Sequence, residues 1–215
     1  DLLIDNNSSI NTDIMNFLSI DCSTETGSLF VKAKNKTFNK VLQSDKSNND
    51  LLMIKILDFL YENNLRFEDI LAIYVNQGPG NFSGLRSSLA VAKGISISKN
   101  LYLYGYDTFI WSCAKFYNKE NVIYSIIEFR GKFFIKKFNK KLKSDSGVIQ
   151  ITKEDIAKKY NNKFKVAPIK MKKYFNQEKS KINNINFINL DHKHLEFLQL
   201  KGLLNESLIK PIYLG

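Results

Sequence analysis

A change of hydrophobic period near residue 47 limits this chain to a small set of folds. Asn16 to Cys22, Ser28 to Lys34 and Phe38 to Gln43 read as three short strands. Turn-forming residues such as Ser23-Thr24-Glu25-Thr26-Gly27 separate them, so they should pair as an antiparallel meander. Ser47-Asn48-Asn49-Asp50 then has capping-box spacing, and Leu52, Ile56, Phe59 and Leu60 recur at helical intervals, predicting a helix over 50–63. Ile70 to Asn76 is a β-branched, buried-strand pattern. Ser83 to Ser98 reads as a second helix, Leu101 to Tyr104 as a strand and Thr108 to Phe116 as a third helix. The order β-β-β-α-β-α-β-α gives an α/β fold. Its N-terminal lobe, residues 15–107, is a five-stranded mixed sheet with helices on its faces.

The second half, residues 108–215, reads as a shortened and divergent lobe. Asn121 to Glu128 and Lys132 to Phe138 should form a hairpin about Arg130-Gly131. Thr152 to Asp155 has capping-box spacing and opens a helix to about Tyr160. Phe164 to Ile169 and Ile185 to Leu190 are strand-like, and His192 to Leu204 looks helical. No repeat of fixed period runs through the chain. Residues 1–14 are polar and expected to be a disordered extension.

Composition excludes several classes. No apolar run approaches the roughly 20 residues that cross a bilayer, and Asp1 to Asn16 lacks the basic start and apolar core of a secretory signal. Two cysteines, Cys22 and Cys113, with no C-x-x-C, cannot form a disulfide framework or a zinc site. The expectation is a cytoplasmic protein with no membrane partner. The net charge of +11 is uneven: residues 1–129 hold 12 basic and 14 acidic side chains, whereas residues 130–181 hold 17 and 4. Such a stretch would attract RNA. All but three of the basic residues are lysines, however, which fits solvated surface in a Lys-rich composition.

The strongest local motif is Gly78-Pro79-Gly80-Asn81-Phe82-Ser83-Gly84-Leu85-Arg86, between a predicted strand and a predicted helix. Its glycines and proline set a tight turn. With no Lys-Ser/Thr after the last glycine, it is not a P-loop. Asp21 ends the first strand, beside Ser23 and Thr24. An Asp there can face a phosphate and metal site or simply cap the turn. His192 and His194 stand two apart, a spacing that does not share a helix face, so a satisfied surface role is expected rather than metal binding. No catalytic set and no metal site is readable. Gly84, Ser88, Ala92 and Ser96 form a stripe of small residues that would let another helix, or the chain's own sheet, approach closely.

The nine-residue motif resembles the "GPGSFTGLR" signature of the TsaB (YeaZ) family. Leu18 to Glu25 is similar to that family's "LAIDTSTE", Ala90 to Gly94 to its "AxxxG" and Pro211 to Leu214 to its "PxYLR". The resemblance is dense over residues 17–107 and thin from 108 to 210. A histidine common in the family near positions 46–47 is replaced by Lys46 and Ser47. Only a glycine and an aromatic end of its "DARRGEVY" hairpin survive at Ile127 to Phe134.

The resemblance implies an actin-like ATPase fold of two ribonuclease-H-like lobes. It implies a non-catalytic subunit supporting a paralogous, Gcp-like TsaD-type transferase that makes threonylcarbamoyladenosine in tRNA, next to the anticodon. A TsaE-type ATPase would be a further partner, and tRNA would be contacted only indirectly. It implies a vestigial phosphate site at Asp21, Ser23 and Thr24, with ATP and magnesium engaged only in complex with the catalytic partner. It also implies that the first two helices meet the partner, or a second copy, through Leu52, Ile56, Leu60, Gly84, Ser88, Ala92 and Ser96. The rival readings are a free-standing ATPase or sugar-kinase-like protein of the same fold, and an RNA-docking module built on residues 130–181.

Overall fold

The computed structural model describes residues 15–24, 26–42, 51–175, 184–207 and 209–214. The expectations for residues 1–14, for Lys46 and for the capping box at Ser47 to Asp50 lie outside these.

In the first sheet, β1 (Phe17–Asp21), β2 (Gly27–Ala33), β3 (Lys36–Leu42), β4 (Ala72–Asn76) and β5 (Tyr102–Tyr106) lie in the order β3-β2-β1-β4-β5. β2 runs antiparallel to β1 and β3, while β4 runs parallel to β1 and β5. β1 is central and entirely buried, with Phe17, Leu18 and Ile20 apolar and Ser19 and Asp21 polar. Helix α1 (Leu52–Glu62) joins β3 to β4, and α2 (Phe82–Lys99) joins β4 to β5. The Asn81 side chain accepts the Ser83 N–H at the start of α2. At its end Asn100 takes a left-handed backbone and returns its N–H to the Ser96 carbonyl.

A second sheet contains β6 (Val122–Phe129), β7 (Lys132–Asn139), β8 (Ile149–Ile151), β9 (Lys165–Pro168) and β10 (Ile185–Ile188). Its order, β10-β9-β6-β7-β8, repeats that of the first sheet. The predicted hairpin is present: Arg130 and Gly131 both have positive φ, the signature of a tight two-residue turn. The predicted cap of α4 (Lys153–Lys158) is present too, with Thr152 and Asp155 exchanging hydrogen bonds. The second sheet is as wide as the first. Its shortening lies in its parts: β8 has three residues where β3 has seven, and α4 has six where α1 has eleven.

Each face of the first sheet meets a different layer. Leu18, Ile20, Leu29, Val31, Ile73 and Val75 pack under α1 and α2. Phe17, Phe30, Tyr74 and Tyr106 face α3 (Thr108–Cys113) and α5 (Lys193–Leu200), which also meet Ile123, Ile127 and Phe134 of the second sheet. The two helices thus fill the space between the sheets. Lys32 of β2 joins Glu196 of α5 at 2.5 Å, and Lys136 of β7 joins Asp107 at 2.8 Å.

Candidate functional site

Asp21 leaves the end of β1 as the turn begins, and its Oδ1 gathers three donors. Ser23 donates from its backbone N–H (2.9 Å) and its hydroxyl (2.7 Å), and Asn76 Nδ2 donates at 3.0 Å. Asn76, fully buried at the end of β4, also donates to the Thr108 hydroxyl and accepts the Gly78 N–H. A buried carboxylate and amide thus tie together the turn after β1, the glycine loop and the start of α3. The turn-capping alternative for Asp21 is realised in these bonds.

The glycine loop owes its composition to this contact. A Cβ on Gly80 would stand 2.0 Å from the Ser23 carbonyl oxygen, and one on Gly84 would stand 2.4 Å from that of Cys22. Gly78 has φ +112°, a conformation suited to glycine, and the following Gly78–Pro79 peptide is cis. The loop is locked further by the Asn81 N–H donating to the Ser23 carbonyl at 2.8 Å. The C-terminal segment joins it, since Ile212 N–H donates to the Gln77 carbonyl at 2.7 Å and Tyr213 stacks on Phe82 with ring centroids 5.1 Å apart. Arg86 lies over the other side of this pair, 5.0 Å from the Phe82 centroid. The two motif stretches that resembled the same family, distant in sequence, therefore meet in space.

Asp21, Ser23 and Thr24 come together at the wall of a cleft of about 270 Å³ between the two sheets. Its polar lining also includes Thr108, Lys40, Lys170, Asn189 and His192, and its apolar side includes Ile169, Met171 and Leu190. Among the described residues, Asp21 is the one carboxylate in its lining. Among the described residues no group of three His, Cys, Asp or Glu is placed to hold a metal ion. Cys22, beside this network, has its thiol pushed up to about 12 by burial and by the Asp21 charge, so it is a poor nucleophile.

His192 departs from the surface role expected of it. It is buried, with Nδ1 2.8 Å from the Ser19 hydroxyl and Nε2 3.0 Å from that of Ser28. Its ring stacks on Phe30 at 5.4 Å and leans on Trp111. Burial holds its pKa down to about 4, against the pull of Asp21 and Asp191. No local pattern foretold this, because its partners are more than 160 residues away.

The residues expected at a partner interface are mostly core. Leu52, Ile56, Leu60, Ser88 and Ala92 are buried against the chain's own first sheet, and Gly84 is closed off by Cys22. Ser96 is half-buried and donates to the Leu101 carbonyl at 2.7 Å. The same helices turn other residues outward: Ile54, Leu57 and Tyr61 on α1, and Ser83, Ala90, Gly94 and Ile97 on α2.

Two linked five-stranded sheets of this order, with helices between and outside them, define an α/β protein of the actin-like ATPase fold. A Bacteroides thetaiotaomicron protein described as having that fold matches with a TM-score of 0.50 at 12 % identity, over 91 % of this chain and 99 % of that one. YeaZ from Pseudomonas aeruginosa matches with a TM-score of 0.69 at 15 % identity, over 94 % of this chain and 100 % of that one. In sequence, the family model for TsaD, tRNA N6-adenosine threonylcarbamoyltransferase, matches residues 43–125. The tRNA threonylcarbamoyladenosine biosynthesis protein TsaB of Buchnera aphidicola subsp. Baizongia pistaciae is 37 % identical over 86 residues. That match spans 39 % of this chain and 38 % of the Buchnera protein, well under half of either. In its motif residues and over part of its length the chain is thus similar in sequence to TsaB, and in fold to YeaZ.

Proposed function

We propose that the chain is a non-catalytic subunit in the formation of threonylcarbamoyladenosine in tRNA, and that it docks a TsaD-type transferase through the outward faces of α1 and α2. The observation that carries this reading is the apolar stripe on α1. Ile54, Leu57 and Tyr61, at i, i+3 and i+7, are 53, 45 and 84 % exposed. One face of a solvated helix that is apolar over two turns marks a contact surface. Beside it, α2 offers Ala90 and Gly94, whose small side chains permit close helix approach, with Ile97 at the edge. A TsaE-type ATPase would join through the transferase, and ATP with magnesium would be engaged only in that assembly.

The accessory reading is preferred to a free-standing ATPase because of the cleft. Asp21 Oδ1 is already engaged by three donors, and among the described residues the second sheet's side brings Lys170 and Asn189 to the cleft rather than a second carboxylate.

The test is co-purification of the chain with the TsaD-type protein of the same genome. Leu57→Asp should weaken association by about 2 kcal/mol or more, as central apolar contacts do, with thermal unfolding unchanged because Leu57 faces solvent. Ala92→Arg should instead unfold the chain. A folded Leu57→Asp variant that binds as tightly as the parent refutes the docking face. Loss of self-association alone would assign the face to a homodimer.

A further inference from the structure

We propose that the end of the molecule formed by residues 115–119, 139–143 and 197–201 docks the phosphate backbone of RNA directly. This rests on the tRNA-related reading above and adds a contact surface to it.

Three chain segments converge there. The Asn118 N–H donates to the Lys140 carbonyl at 2.7 Å, joining the first to the second. Lys141 lies 5.4 Å and Lys201 5.7 Å from the Tyr117 ring centroid, and Tyr117 packs edge-on against Phe197 at 5.2 Å, joining the third. Together the segments hold Lys115, Lys119, Lys140, Lys141, Lys143 and Lys201 and no Asp or Glu. All six lysines are exposed.

Some lysines elsewhere in this chain find carboxylates. Lys32, Lys34, Lys40, Lys99, Lys136 and Lys158 each pair with one. Among the described residues, none of the six at this end does. Instead the cationic groups are gathered, at a mutual electrostatic cost that a polyanion would reverse.

The loop carrying three of them is also built to hold its shape. Leu142 has φ +56°, an unusual conformation for a bulky side chain, and it is buried. Asn139 Oδ1 accepts the N–H groups of Lys141 (2.9 Å) and Lys143 (3.1 Å). Leu142 is therefore an inward anchor, and Lys140, Lys141 and Lys143 are held outward around it. Backbone strain kept by burial at a loop tip suits a functional surface. Position agrees as well. α1 and α2 cover one face of the first sheet, and α5 with residues 114–116 lies beyond the other, so a protein docked on α1 and α2 leaves this end open.

Ammonium groups without planar forks read charge rather than sequence, so binding should be general to RNA backbone and strongly salt-dependent. The experiment measures anisotropy of a labelled, in-vitro transcribed tRNA titrated with the chain alone, from 50 to 200 mM KCl. The triple variant Lys140→Gln, Lys141→Gln, Lys201→Gln should bind at least tenfold more weakly at 100 mM. Its slope of log affinity against log salt should be shallower by about two to three. The triple variant Lys159→Gln, Lys172→Gln, Lys173→Gln removes the same charge elsewhere and should bind as the parent does. Equal losses in both variants would mean net charge alone acts and would overturn the proposal. So would unchanged binding by the first variant, absence of binding at 50 mM, or polyglutamate binding as tightly as tRNA. Association with the TsaD-type partner is measured separately and should survive the first variant, so failure of the docking face and failure of this surface are told apart.

Discussion

Mild acid should destabilise this molecule through one imidazole. His192 is 8 % exposed, and each ring nitrogen lies within hydrogen-bond distance of a hydroxyl on the first sheet. Burial lowers its pKa from 6.5 to about 4, while Asp21 and Asp191 pull the other way. The other groups in contact with the ring are the Ser19 and Ser28 hydroxyls, Phe30 and Trp111, and Tyr106 lies behind Ser19 and Trp111. Burial raises the Tyr106 hydroxyl well above 10, so it stays neutral throughout. The unfolded chain takes up a proton here near pH 6.5 and the folded chain only near 4. Stability is therefore complete above pH 6.5, falls as pH drops through that window and levels off below 4. At about 1.4 kcal/mol per unit, the full effect is about 3 kcal/mol, of which about 2 kcal/mol is lost by pH 5. Urea unfolding at pH 7.5, 6 and 5 measures it, with His192→Gln as the reference. Glutamine can still bond a hydroxyl but does not titrate. The parent should lose about 2 kcal/mol more than the variant between pH 7.5 and 5. Equal pH dependence of the two would refute the assignment of His192 as a buried neutral latch.

Two further predictions concern stability. Gly80→Ala should cost on the order of 1–3 kcal/mol in thermal or urea unfolding, because its Cβ would meet backbone atoms of Ser23 at 2.0, 2.6 and 2.7 Å. Gly94→Ala, with nothing within 4 Å of the new Cβ, should instead stabilise α2 by up to about 1 kcal/mol. Lys165→Met should be destabilising by about 2 kcal/mol or more despite its apolar gain. The buried Lys165 ammonium donates to the carbonyls of Tyr160 (2.6 Å), Asn161 (2.9 Å) and Lys163 (3.1 Å), which would lose that donor; unchanged stability in urea would show that other donors satisfy them.

Much of the first half was legible because its strands and helices have distinct periods and strong punctuation. The second half was harder. β8 is three residues long, too short for an alternation to register, and the 3-10 helix Ile169–Tyr174 stands where the first half has the long α2. The glycine loop was recognised, but its reason lay across the fold, in carbonyls of Cys22 and Ser23 that no spacing displays. The helix faces were misread for a physical cause. α1 is apolar on both sides, with Leu52, Ile56 and Leu60 inward and Ile54, Leu57 and Tyr61 outward. α2 carries small residues on both sides, so periodicity alone cannot choose which stripe faces the sheet. His192 shows the same limit, since its role depends on partners supplied by β1 and β2.

The shared strand order of the two sheets explains why the proposed surfaces are kept apart. The first half makes a βββαβαβα unit, the second follows the same order with a 3-10 helix in place of α2, and each sheet needs helices over both faces to bury its apolar residues. α3 and α5 serve both sheets at once, which closes one face of each against the other. The outer face of the first sheet is then free to carry two longer helices, and their far sides become a wide apolar and small-residue surface. The second sheet's outer cover is slighter among the described residues, with α4 and a 3-10 helix over Ile126, Phe133 and Ile135. What this half presents instead is a lysine cluster where the end of β7, opposite the hairpin turn, meets residues 115–119 and α5. A transferase on one side and an RNA backbone at the far end would not compete for area. They would also differ in how they respond to solution conditions. Contacts through Ile54 and Leu57 should hold at 0.5 M salt, where lysine–phosphate contacts are largely screened. Raising salt should therefore release tRNA from the assembly before it separates the proteins. Separation in the opposite order would assign the charged end to the protein partner.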